Sequence, residues 1–187
     1  MLIELADLDH VRLDGTGRKA RLVVRSTSPT GHPVLDAWQG KVADQAGRKP
    51  KDVVGKLATG LRERLLDHLA QRGILRRERD RILGLFPTTR WPAHDSTHEA
   101  ELRAHLRRAL VDGVQPEPRL AALIALLHAV DAVPRVVGAA DRKLAKQRAK
   151  AIAEGNWASD ATRKAIEEMT AVVATAAIIP VITAAGS

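Results

Sequence analysis

The chain contains no cysteine, no tyrosine, one phenylalanine and three tryptophans. Without cysteine it has no disulfide framework, no thiol nucleophile and no thiolate metal site, which fits a reducing cytosol. With so few aromatics the core has to come from Leu, Ala, Val and Ile, a composition that points to a mainly helical protein. Long apolar runs are scarce as well. MLIELADLDH carries acids early and lacks the apolar stretch of a secretory signal. Met169 to Ser187 holds no charge, yet it is short for a membrane span, rich in Ala and Thr, and broken by Pro180. A buried closing helix is expected there.

What the chain has in excess is basic charge. Thirty Lys and Arg against 22 Asp and Glu give a formal net charge of +8 and a pI near 10.4, which favours anionic partners. With 187 residues and 45% apolar content it can bury a real core, and a single domain spanning residues 1–187 is expected.

Punctuation divides the chain. Leu2 to Leu8 looks like the end of a helix. His10 to Leu13 and Ala20 to Arg25 alternate as two short strands, joined by Asp14-Gly15-Thr16-Gly17. After a loop, Val34 to Ala46 reads as a helix with Leu35, Trp38 and Val42 on one face. One long helix is expected from Lys51 to Arg72, because Val53, Val54, Leu57, Leu61, Leu65 and Leu69 keep helical spacing. Gly73 follows Arg72 where a C-cap wants positive φ. Ser96 or Thr97 caps a helix through Leu110, with Glu99 in its first turn. Pro116 and Pro118 lead into a strongly apolar helix, Arg119 to Val130, expected to be central and buried all round. Asp141 to Glu154 is a basic helix ended by Gly155, and Ser159 starts the last one.

Enzyme signatures fail on inspection. Gly15-Thr16-Gly17-Arg18-Lys19-Ala20 imitates a dinucleotide fingerprint, but a strand follows where a helix is required. Gly40-Lys41 and Gly55-Lys56 lack the remaining spacing of a phosphate-binding loop, and there is no G-x-S-x-G elbow. His94, His98 and His105 gather around a helix start without the further ligands a metal site needs. The residues point to a non-catalytic protein with neither cofactor nor metal.

The basic clusters carry more weight. Arg72 to Arg81 holds five arginines against two acids, and Asp141 to Lys150 five bases against one acid. The first cluster forms an expected arginine-rich hairpin over about residues 74–86. Its apolar members are Ile74, Leu75, Leu83, Leu85 and Phe86, and its cationic ones Arg76, Arg77, Arg79 and Arg81. Arg62, Arg64 and Lys56 lie just before it and are the candidate headgroup-binding residues. An element both apolar and cationic suits an anionic bilayer, and guanidinium groups bind phosphate with two parallel hydrogen bonds. The plainer alternative is that these charges solvate helix faces and pair with Glu63, Asp67 and Glu78.

MLIELADLDHVRL, SPTGHPVLD, LRERLLDHLAQRGIL with LGLFPTTRWP, and RLAALIALLHAVDAV occur in that order along essentially the whole chain. Together they resemble the Golgi phosphoprotein 3 (GPP34) family, in particular its bacterial, actinobacterial-type members. The resemblance implies a mainly α-helical domain with a protruding hairpin. It also implies phosphatidylinositol 4-phosphate binding at a peripheral membrane, adaptor contacts with protein partners and homo-oligomerisation through the hairpin. The family's pocket takes a tryptophan and an arginine from a segment before "LIEL"; here the sequence begins at Met1, so an N-terminally short member is expected. Of the two basic residues the pocket takes from the pre-hairpin helix, the second matches Arg62 and the first falls on Thr59, with Lys56 one turn earlier.

Two other classes stay open. A glycine-ended helix followed by a basic hairpin also resembles a winged helix on DNA, with Arg62, Arg64, His68, Gln71 and Arg72 available to nucleic acid. An adaptor that oligomerises through the hairpin needs no lipid. The leading expectation is a cytoplasmic, peripherally membrane-associated protein binding anionic phospholipid headgroups.

Overall fold

The computed structural model describes residues 1–82, 86–154, 166–172 and 174, with the backbone alone at 80–82 and 86–88. The expectation of a mainly helical architecture with short hairpins holds: the described residues include the helices α1 to α7, further helical residues at 166–172, and two separate two-stranded antiparallel sheets. Helix α1 (Leu2–Asp7) buries Ile3, Leu5 and Ala6. Strands β1 (Val11–Asp14) and β2 (Arg21–Val24) pair with Val11 opposite Val24 and Asp14 opposite Arg21. Their connection needs Gly15, whose φ is +75° and where a Cβ would lie 2.8 Å from the Lys19 carbonyl oxygen. The Gly17 N–H donates to Glu168 Oε1 at 2.7 Å, tying this turn to the helical residues 166–172.

Helix α2 (Pro33–Ala43) starts on a proline and buries Val34, Leu35, Trp38 and Val42, the face expected of it. The loop before it is fastened by Asp36. Its Oδ1 accepts from the Thr30 hydroxyl at 2.6 Å and the Thr30 N–H at 2.7 Å.

The long helix expected over residues 51–72 is instead two. Helix α3 (Pro50–Ala58) buries Val53 and Leu57, and α4 (Leu61–Gln71) buries nothing. Thr59 is extended and Gly60 left-handed, with φ +75°, so the chain turns and the apolar stripe leaves the core. Leu61 is half-buried, but Leu65 is 41% exposed. At its other end α4 closes as expected: Gly73 has φ +71°, its N–H donates to the Ala70 carbonyl, and the Ile74 N–H donates to that of Leu69. That pair of bonds is a Schellman motif, with Ile74 as its apolar follower.

The second hairpin lies further along than expected. Strands β3 (Glu78–Ile82) and β4 (Phe86–Arg90) pair with Glu78 opposite Arg90 and Arg81 opposite Pro87, so residues expected as loop form the return strand. Pro87 is tolerated because both strands of a two-stranded sheet are edges. Below them, Leu75 bridges Ala93 and the Arg76 N–H donates to the Pro92 carbonyl.

Helix α5 (Thr97–Arg107) has Ser96 at its N-cap with no side-chain cap bond; Asp95 Oδ1 accepts from the Thr97 N–H instead, at 2.8 Å. It widens into a π turn, Arg108–Asp112, whose Val111 carbonyl is met by the Arg148 guanidinium. Helix α6 (Pro118–Ala129) is central but not buried all round. Ala122 and Ala125 join one core cluster with α1, β1 and α2, while Ile124 joins a second with Leu110, Val133, Ala145 and Ala149. Leu123, Leu126, Leu127 and His128 are half-buried. Helix α7 (Arg142–Ala153) packs on α6 through the small residues Ala145 and Ala149. Gly155, Ser159 and residues 175–187 lie outside the described residues.

Two outcomes follow from this packing. Ile124, 0% exposed, costs about 2–5 kcal/mol on truncation to Ala, whereas Leu65→Ala costs about 0.5 kcal/mol or less; urea unfolding monitored by circular dichroism measures both. The Thr30 hydroxyl and N–H hold the Asp36 carboxyl below its ordinary pKa. Its stabilising contribution is therefore complete above the unfolded-state value and is lost as pH falls through the lowered native one. Carbon-13 NMR titration is expected to show the Asp36 midpoint rising in Thr30→Val, together with loss of stability at pH 7.

Candidate functional site

The cationic residues singled out in the sequence sit on α3, α4 and the second hairpin. Lys56, Arg62 and Arg64 are all exposed, and none has a side-chain hydrogen bond or ion pair among the described residues. They do not form one cluster along α4. Each residue turns an α-helix by about 100°, so Arg62 and Arg64 leave it on opposite flanks. Arg62 shares its flank with Leu65 and Leu69, three and seven positions on. Lys56 stands in the last turn of α3, beyond the Thr59–Gly60 break.

Arg64 belongs to a different surface. With Glu63, Asp67, His68 and Gln71 it lines one wall of an open cavity of about 540 Å³. Pro33 and Val34 from the first turn of α2 form the facing wall, and Arg77 reaches in from the foot of the hairpin. Arg77 Nη1 donates to Asp67 Oδ1 at 3.0 Å, and its guanidinium lies 5.3 Å from the centre of the Trp91 ring. Beside this wall the rings of His32 and His68 lie 5.8 Å apart, tilted by 52°. His32 Nδ1 is shielded from solvent and has no hydrogen-bond partner among the described residues.

The hairpin arginines therefore differ in what they do. Arg77 is held by Asp67 and Trp91 and clamps the hairpin to α4. Arg76 Nη2 lies 3.2 Å from His94 Nδ1. Arg79 is exposed and makes no side-chain contact of this kind among the described residues. Ile74 and Leu75 are half-buried at the end of α4, where they seat the hairpin. Leu83 and Leu85, and the side chains of Arg81 and Phe86, lie outside the described residues.

The other basic cluster is largely engaged. On α7, Lys146 pairs with Asp131 at 2.7 Å, Lys150 approaches Glu154 at 3.9 Å, and Arg148 is committed to the Val111 carbonyl. Arg148 ties α7 to the turn that follows α5, and Lys146 ties it to Asp131, just past the end of α6. Among the described residues no three His, Cys, Asp or Glu side chains converge as a metal site, and His94, His98 and His105 are all exposed. No described helix is long and apolar enough to cross a membrane.

Sequence reasoning passed over the cavity, and with it His32 and Trp91; of the acids it named as alternative partners for the arginines, Asp67 pairs with Arg77. One signal was present: Glu63, Arg64, Asp67, His68 and Gln71 repeat at helical spacing opposite the leucines, giving a polar flank too regular for loose solvation. The partners from α2 and the hairpin are distant in sequence and carry no local signal.

No curated protein gives a significant match to the chain. The family described as Golgi phosphoprotein 3 (GPP34) matches residues 1–169 of the 187. The helical architecture, the arginine-bearing hairpin at the end of α4 and this match over most of its length agree: the chain belongs to the Golgi phosphoprotein 3 (GPP34) family.

Proposed function

We propose that the protein is a non-catalytic peripheral membrane protein that recognises anionic phospholipid headgroups, phosphoinositide-like by family membership. The observation that carries this reading is the flank of α4 on which Arg62 stands. The helix buries none of its residues, Leu65 is 41% exposed, and Arg62 has no partner among the described residues. A cation beside an exposed leucine on a surface helix suits the boundary between headgroups and acyl chains. Arg76 and Arg79 on the hairpin and Lys56 on α3 extend the positive surface. Each basic side chain close to an anionic membrane contributes about 1 kcal/mol, so three or four give a reversible attachment. The contacts of Arg77 with Asp67 and with Trp91 brace the hairpin while these side chains engage. The family resemblance implies homo-oligomerisation through the hairpin, and a homo-oligomer would multiply the weak sites.

Co-sedimentation with vesicles of defined composition tests the proposal. Binding is expected to rise with phosphatidylinositol 4-phosphate or phosphatidylserine content and to be absent on neutral lipid. Arg62→Ala is expected to weaken it about fivefold, the equivalent of about 1 kcal/mol, and neutralising Arg76 and Arg79 together about thirtyfold. Equal binding to neutral and anionic vesicles, or retention of full binding by both variants, contradicts it. Salt-sensitive binding to duplex DNA with no vesicle binding would transfer the function to nucleic acid.

A further inference from the structure

The anionic-headgroup reading uses one flank of α4 and leaves the cavity on the other unexplained. That cavity, of about 540 Å³, has the size of a small-molecule site. Its charges are arranged in a specific way. Asp67 is taken by Arg77, which leaves Glu63 and Arg64 as the charged carboxylate and guanidinium of the lining without a partner among the described residues. Adjacent positions on a helix point about 100° apart, so the two side chains stand on either side of the line through Asp67 and Gln71. One rim of the cavity is thus anionic. The other is cationic, with the His68 imidazole one turn beyond Arg64.

This arrangement selects against ligands of a single charge. A polyphosphorylated headgroup that approaches Arg64 also meets Glu63, and a simple cation that approaches Glu63 meets Arg64. Only a ligand carrying both charges satisfies both rims.

We propose that the cavity binds a small dipolar ion, one bearing a primary ammonium and a carboxylate or phosphate on the same short skeleton. Arg64 holds the anionic group through its paired N–H donors, and Glu63 accepts from the ammonium, each bond charge-assisted. Gln71 lines the same wall two turns further along α4, and Pro33 and Val34 offer an apolar wall to the connecting carbons. Glycine or phosphoethanolamine free in solution has this chemistry, and so does the phosphoethanolamine headgroup of a bilayer. The site is independent of Arg62, so it stands or falls separately from the anionic-lipid reading.

Isothermal titration calorimetry of the full chain tests the site, with O-phosphoethanolamine and glycine as probes and inorganic phosphate and ethanolamine as single-charge controls. Vesicles with and without phosphatidylethanolamine run in parallel. The dipolar probes are expected to bind saturably and each control about tenfold or more weakly. Glu63→Gln and Arg64→Gln are each expected to weaken the dipolar probe by about tenfold, and Arg62→Ala to leave it unchanged. Both sites are exposed, so circular dichroism should report an unaltered fold. The same dependence on Glu63 and Arg64 seen only with phosphatidylethanolamine vesicles supports the site and identifies the headgroup as its source. Phosphate binding as tightly as phosphoethanolamine, or binding indifferent to Glu63→Gln, overturns the proposal in favour of a simple anion site. Absence of binding by every probe overturns it outright, and Arg62→Ala on anionic vesicles then shows whether the membrane reading survives.

Discussion

Two left-handed glycines decide how this protein presents itself. Gly60 and Gly73, with φ of +75° and +71°, bound α4 on either side. An L-residue with a side chain would be strained at either position. The first detaches α4 from the apolar stripe that α3 carries into the core. The second ends it in a Schellman motif and launches the hairpin. Without the break, Leu61, Leu65 and Leu69 would continue the line of Val53 and Leu57, and the helix would be packed like any other. With it, an eleven-residue helix lies on the surface with two usable flanks.

Each flank has its own chemistry. Arg62 and Leu65 share one, a pairing of charge and exposed apolar surface that attracts an anionic interface and weakens with salt. Arg64, Asp67, His68 and Gln71 share the other, which lines the open cavity facing the start of α2. The loop before α2 is fastened to that helix by the Thr30 hydrogen bonds to Asp36, next to the facing wall. Arg77 joins the two halves: by pairing with Asp67 and covering Trp91 it fixes the hairpin relative to α4 and neutralises the one carboxylate that lies between the rims. The rest of the molecule is a support. Helix α6 contributes to both core clusters, and α7 spends its cations on Asp131 and the Val111 carbonyl.

Much of this was legible in the residues. Leu35, Trp38 and Val42 marked the buried face of α2, Asp14 to Gly17 the first turn, and Gly73 the end of α4, because each depends on local geometry. The break at Gly60 was not legible, since leucines keep their spacing straight across it and periodicity is blind to a single change of φ. The hairpin was recognised but misplaced by several residues. Its arginines gave no alternation to set a register, and Pro87 suggested a loop although it pairs opposite Arg81. Ser96 or Thr97 was expected to cap α5, yet Asp95 makes the bond. The candidate cations were found, but which flank faces the cavity depends on α2 and the hairpin, which are distant in sequence.

The absence of cysteine allows the central claim to be measured directly. Leu65→Cys and Gln71→Cys, each labelled with an environment-sensitive fluorophore, report the two flanks of α4 separately. On adding anionic vesicles, the account predicts a blue shift and loss of quencher access at position 65, with position 71 unchanged. No change at position 65, or the same change at both positions, would contradict the assignment of the Arg62 flank to the membrane.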